Sequence, residues 1–207
     1  MGRTTASMWF LGRRLRTVGY TTSLFGYRVR RAALDEIARR FADHVHKTLD
    51  RETDTPYAII GHSLGNLVAR LASPLLPPGW SRFVMLAPPN QPPVIARWLR
   101  DNPLFRLATR DAGSKLADAS FVAELPVPAV PSLIVAGTRG LQLPWLPFQG
   151  PNDAIVQVEE TRLEGVPTVQ VPGIHTFLMN RNDVFAAIRE FLIGDAPTTI
   201  NTYRPFW

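Results

Sequence analysis

The pentapeptide Gly61-His62-Ser63-Leu64-Gly65 surrounds a serine in a pattern that points to nucleophilic chemistry. It matches G-x-S-x-G. An apolar run, Tyr57 to Ile60, precedes it, and a helix-periodic stretch, Asn66 to Leu71, follows. A sharp strand-to-helix turn holds its serine in a strained backbone conformation. The positions two before and two after must therefore be small. Gly61 and Gly65 meet that demand. Ser63 would then project at the carboxyl end of a sheet. The Leu64 N–H would lie at a helix N-terminus, aimed at a developing oxyanion.

A serine hydroxyl needs a base, and the base needs an orienting acid. The chain has four histidines. His62 adjoins the serine inside the turn and should point elsewhere. His44 and His46 are two apart on a helix, so they face different directions, make a poor metal pair and are expected to be exposed. His175 lies in a loop just after the last apolar strand, where a general base belongs. For the acid, Asp153 in Gly150 to Val156 gives the chain order Ser, Asp, His. Asp183 and Asp195 follow the histidine, and Asp101, Asp111 and Asp118 fall in an insertion. Glu159, Glu160 and Glu164 compete with Asp153. The chain has no cysteine, which excludes a thiolate nucleophile, a thiolate metal site and a disulfide scaffold. No metal or organic cofactor is implied.

These residues need elements to position them. Short apolar strands are expected at Tyr20 to Phe25, Tyr57 to Ile60, Arg82 to Leu86, Leu133 to Ala136 and Thr168 to Val171. Helices are expected over 4–17, 31–49, Asn66 to Leu71 and 183–193. In the first of these, Met8, Trp9, Leu11, Leu15 and Val18 form the apolar face, with arginines opposite. Alternating strands and helices predict an α/β fold: a mainly parallel sheet with helices on both faces. A proline-rich insertion, 87–131, interrupts the rhythm, with one helix expected around Val94 to Arg100. It reads as a cap or acyl-pocket segment. Trp145, Leu146 and Phe148 are candidates to line an acyl pocket or its rim. Residues 1–195 read as one domain, and 196–207 as a tail without periodicity.

Composition bounds the function classes. The chain has 207 residues, 45% hydrophobic and 19% charged, which fits one globular domain and not a disordered chain. No apolar run reaches the roughly 18 to 20 residues of a transmembrane helix. The net charge is +6 and the pI near 10.4, yet Lys47 and Lys115 are the only lysines. The basic charge is an arginine-biased surface with no nucleic-acid motif beside it. Weak peripheral attraction to anionic lipid is the minority reading. No signal peptide is visible, so a cytoplasmic location is the default expectation.

The motifs together resemble the small lipase and serine esterase branch of the α/β-hydrolases. That branch includes minimal lidless bacterial lipases and esterases related to GPI-inositol deacylase. The likeness runs from Gly-His-Ser-Leu-Gly through Pro-Asn-Asp-x-Ile-Val and Thr161-Arg162-Leu163-x-Gly165 to x-His-Thr-Phe-Leu-Met-Asn. It implies a three-layer α/β-hydrolase fold with Ser63 as nucleophile, His175 as general base and acid, and Asp153 as its orienter. It implies a small-molecule or lipid ester as substrate. Thioesterase or acyltransferase chemistry on the same triad, or an inactive hydrolase-fold binding protein, are the alternatives. Asn66 departs from the pattern where a small glycine is common, and Ala154 where glycine often follows the aspartate. At the front, the family carries a strand ending in His-Gly, then a turn completing the oxyanion hole, resembling H-G-x-G-R-T. Met1-Gly2-Arg3-Thr4 matches only the end of that motif, which puts Met1 at the second oxyanion position. The resemblance thus implies an N-terminally truncated core, lacking the strand between Tyr20 to Phe25 and Tyr57 to Ile60. Either residues upstream supply that strand, or the two flanking strands pair directly and the hole keeps one amide.

Overall fold

The computed structural model describes residues 6–29, 31–49, 56–103, 107, 109 and 111–194. Four strands form one parallel sheet: β1 (Tyr57–His62), β2 (Trp80–Leu86), β3 (Ser132–Gly137) and β4 (Thr168–Val171). They lie side by side in chain order. Each is the apolar run expected there, extended by up to two residues at its ends. Because successive side chains alternate, β1, β2 and β3 each feed two cores, whereas β4 feeds one. Val84, Leu86, Leu133, Val135, Val169 and Val171 face one side. They pack against Leu11 and Leu15 of α1 (Ala6–Thr17) and Val184, Ile188 and Phe191 of the last helix (Asn182–Ile193). Ile59, Phe83, Met85 and Ile134 face the other side, against Ala69 of α3 (Leu64–Ala72). Helix α2 (Leu34–Thr48) lies outside α3, with Ala38 and Ala42 against Ala72. Helices cover both faces, as a buried parallel sheet requires.

Four local expectations are corrected. Tyr20 to Phe25 is not a strand, and β1 therefore pairs with β2 alone among the described residues. A strand needs a ladder partner for its backbone groups. Here the side chains go to the helices instead: Phe25 and Tyr27 pack with the α2–α3 cluster, and Ser23 Oγ lies 2.8 Å from His44 Nε2. His44 is accordingly half-buried, while His46 is exposed as expected. In α1 only Leu11 and Leu15 are fully inward, whereas Trp9 and Val18 are 48% and 39% exposed. A stripe three or four residues apart buries 8, 11 and 15, and residue 9 falls on the far side.

The insertion is more helical than its prolines suggest. Besides α4 (Val94–Trp98) it holds α5 (Asp111–Ala117) and α6 (Ala119–Glu124). Its prolines crowd the two ends and leave 104–125 free of them. Asp118 caps α6, its carboxylate accepting the Ser120 N–H at 2.9 Å and the Phe121 N–H at 3.5 Å. Ala96, Ala112, Leu116 and Leu125 pack against Leu64, Leu67 and Val68 of α3. The insertion therefore sits on the N-terminal half of the helix that follows Ser63. Its ends are held by a buried knot. Arg70 of α3, 2% exposed, donates to the carbonyls of Pro126 (2.9 Å) and Leu125 (2.9 Å) and to Asn90 Oδ1 (3.1 Å). Asn90 in turn donates to the Thr161 carbonyl at 2.8 Å. Burial pushes the Arg70 guanidinium down to about 10. No helix among the described residues is long and apolar enough to cross a membrane.

Candidate active site

Ser63 stands between β1 and α3 with φ 54° and ψ −127°, a left-handed conformation that costs a non-glycine residue about 1–3 kcal/mol. The surroundings hold it there. A Cβ on Gly61 would lie 2.2 Å from Asn66 Oδ1 and 3.1 Å from the Asn66 Cα, so only glycine fits. Gly65 differs: a Cβ there would meet nothing nearer than the Tyr27 hydroxyl at 3.8 Å. Crowding therefore dictates the glycine on the strand side and leaves room on the helix side. Asn66, marked only as a departure from the family pattern, braces the turn. Its Nδ2 donates to the Ser63 carbonyl at 2.9 Å and to the Leu86 carbonyl at 3.1 Å. No motif points to that role, because it depends on β2 lying alongside.

The imidazole of His175 reaches the serine from a 3-10 turn (His175–Asn180) that follows β4. Its Nε2 is 2.8 Å from Ser63 Oγ, and its Nδ1 is 2.7 Å from Asp153 Oδ2. Both His175 and Asp153 are buried, whereas Ser63 is partly open. The other Asp153 oxygen accepts the Ile155 N–H at 3.0 Å and the Val156 N–H at 2.7 Å. With that oxygen occupied, Oδ2 is directed at the ring, which sets Nδ1–H as the donor and leaves Nε2 to accept from the serine. The backbones are tied as well, the His175 N–H donating to the Asp153 carbonyl at 2.8 Å. Close approach is possible because β3 ends in Gly137, where a Cβ would stand 2.8 Å from the Asp153 Cβ.

The competing acids are engaged elsewhere. Glu160 is buried in a capping box with Gln157 in the short helix α7 (Val158–Thr161) and accepts the Val94 N–H at 2.7 Å. Glu159 pairs with Arg162 at 2.9 Å, Asp183 pairs with Arg181, and Glu164 is exposed. Asp101 is exposed beside Arg100. The Asp111 side chain and Asp195 lie outside what is described.

His62 does not simply turn away. Its Nε2 lies 3.0 Å from the His175 carbonyl and the two rings are 4.8 Å apart, so it supports the turn that carries His175. Leu64 is the first residue of α3, and its N–H belongs to the helix's unpaired first turn. Met1, expected at the second oxyanion position, lies outside the described residues, as does the tail. Of the expected pocket residues, Trp145 is 70% exposed, and Leu146 and Phe148 are half-buried.

No family model and no curated protein sequence matches the chain. Solved structures do. The mature lipase BlEst2 of Bacillus licheniformis superposes with a TM-score of 0.72 at 14% identity, over 92% of this chain and 87% of that one. The phospholipase PlaB of Legionella pneumophila gives 0.67 at 16% identity, over 89% of this chain and 54% of that one. The thioesterase domain NocB of the nocardicin cluster gives 0.51 at 21% identity, over 92% and 89%. The chain thus spans about half the length of PlaB. At these identities the likeness is one of fold.

Proposed function

We propose that this chain, whose fold is that of the α/β-hydrolases, is a serine hydrolase that cleaves carboxylic esters through an acyl-enzyme. The observation that carries the reading is the relay of Ser63, His175 and Asp153 with a strained serine at its head. Ser63 Oγ attacks the ester carbonyl carbon while His175 Nε2 takes the hydroxyl proton. The resulting oxyanion is stabilised by the Leu64 N–H at the start of α3. The tetrahedral intermediate collapses, the C–O bond to the alcohol breaks, and His175 returns the proton to the leaving oxygen. Water then attacks the acyl-enzyme with His175 again as base, releasing the acid and restoring Ser63. Asp153 holds the ring and offsets the imidazolium charge throughout. No step calls for a metal or organic cofactor. Trp145, Leu146 and Phe148 are assigned to the acyl-side rim, and Met1 to the second oxyanion position.

The test is a fluorophosphonate probe, which labels an activated serine, paired with turnover of short nitrophenyl esters. The parent is expected to label at Ser63, and Ser63→Ala to lose both labelling and about 10⁶-fold in turnover. A folded parent that stays unlabelled selects the inactive binding-protein alternative. A Ser63→Ala protein as active as the parent overturns the assignment of the nucleophile. The likeness to a thioesterase domain supports one further comparison, acyl thioesters against oxygen esters of the same acid, because both pass through the same acyl-enzyme.

A further inference from the structure

Helix α1 turns two different faces outward and inward. Leu11 and Leu15 are 1% and 5% exposed, inside the sheet-facing core. The opposite face presents Trp9, Phe10, Arg13, Arg16 and Thr17 to solvent, with Trp9 at 48% and Phe10 at 44% exposure. The helix contains three arginines and no acid. Among the described residues none of these arginines is in an ion pair. Arg13 and Arg14 lie against aromatic rings, Arg14 also donates to the Arg181 carbonyl at 3.3 Å, and Arg16 donates to Thr22 Oγ1 at 2.6 Å. Arg13 stands 5.6 Å over Trp9, and Arg14 stands 5.7 Å over Phe10 and 3.9 Å over Phe185. An exposed tryptophan and phenylalanine beside unneutralised arginines match a partner that is apolar inside and anionic at its surface. The 3-10 turn carrying His175 packs on the inward side of α1, where Leu178 and Met179 meet Leu11 and Leu15.

We infer that the outward face of α1, formed by Trp9, Phe10, Arg13 and Arg16, seats the molecule on a bilayer carrying anionic headgroups. The aromatic rings enter the headgroup boundary and the guanidinium groups remain at the phosphate level. The inference goes beyond the hydrolase reading and rests on different residues.

Vesicle flotation tests it, using the full chain with Ser63→Ala so that no lipid is consumed. The protein should float with mixed phosphatidylcholine–phosphatidylglycerol vesicles, should stay behind with phosphatidylcholine alone, and should detach as salt rises. Trp9→Ala/Phe10→Ala and Arg13→Glu/Arg16→Glu should each weaken partitioning at least about tenfold. Leu75→Ala, at a side chain 48% exposed like Trp9 but outside α1, should leave flotation unchanged. Urea midpoints show which variants remain folded, and each pair of substitutions decides independently if the other fails to fold. Equal flotation on both vesicle types overturns the inference. So do α1 variants that float like their parent, or a Leu75→Ala protein that fails as they do. Retention of the parent on duplex DNA without vesicle binding also overturns it, assigning the arginines to a polyanion.

Discussion

Two buried polar networks flank α3, and they are built on opposite principles. At the carboxyl ends of the strands, Asp153 is 1% exposed and spends one oxygen on two backbone N–H groups and the other on His175. That chain of oriented donors ends at Ser63, which is partly open. At the far end of α3, Arg70 is 2% exposed and surrounded by neutral oxygens: two backbone carbonyls and one side-chain amide. A buried carboxylate facing an imidazole can respond to charge developing on the ring. A buried guanidinium satisfied by carbonyls has nothing to respond to, and holds two ends of an insertion against a helix. The first network leads to a partly open hydroxyl, and the second ties two segments to a helix.

Substitutions can break that contrast. The largest effect is expected from Asp153→Asn. The amide keeps the shape, but its NH₂ facing Nδ1 favours the wrong tautomer of His175. Turnover of nitrophenyl esters should fall about 10⁴-fold while the fold persists. Circular dichroism beside the kinetics checks both halves. A variant with parental turnover would remove Asp153 from the chemistry.

Arg70→Met should show the reverse. It leaves the Leu125 and Pro126 carbonyls and Asn90 Oδ1 without their donor, at a cost of about 3 kcal/mol in urea unfolding. Turnover per folded molecule should stay within about threefold of the parent. A large loss of turnover at unchanged stability would merge the two networks into one functional unit.

Ala154→Gly sharpens the comparison from inside the acid loop. Ala154 has φ 80°, a region that costs an alanine about 1 kcal/mol or more and a glycine nothing. Part of that gain is lost to the looser unfolded chain, so stability should rise about 0.5 kcal/mol with turnover unchanged. A drop in turnover would mean that the strain itself positions Asp153.

The smallest effect belongs to the insertion's outer tie. Lys115 Nζ lies 2.6 Å from Asp35 Oδ2, and that hydrogen bond holds the Asp35 carboxyl below its usual 3.8. Asp35 is exposed enough for water to screen the pair, so Lys115→Ala should cost about 0.3 kcal/mol at neutral pH. A carboxyl with a depressed pKa contributes stability above its unfolded value and loses it as pH falls through the folded one. The difference between parent and variant should therefore shrink below pH 3.8. A difference that persisted in acid would point to packing of Lys115 over Phe121, 5.1 Å away, and not to charge.

The comparison also separates what a sequence can reveal from what it cannot. Ser63, Asp153 and His175 stood out because each sits in a local signature: a glycine-framed turn, an Asn-Asp loop after Pro151, and a loop closing the last strand. β1, β2 and β3 stood out because a strand buried on both faces reads as an apolar run, and β4 because Val169 and Val171 alternate with polar residues. Arg70, Asn66 and Asn90 left no such mark. Each is a polar residue whose partners lie on another element, so nothing in its own neighbourhood distinguishes it from a surface residue. Tyr20 to Phe25 failed in the opposite sense. Its composition suits a strand, yet strand formation depends on a partner, and its side chains found helices instead.

By itself, then, the sequence determined the chain order Ser, Asp, His, the alternation of strands and helices, and the small residue needed beside Ser63. These are local, because backbone sterics and side-chain periodicity act over a few residues. Only the tertiary structure decided which acid faces the imidazole, which of two glycines is crowded, where the arginine is buried, and which face of α1 meets solvent. Those outcomes depend on distances between elements far apart in the chain, and packing alone sets them.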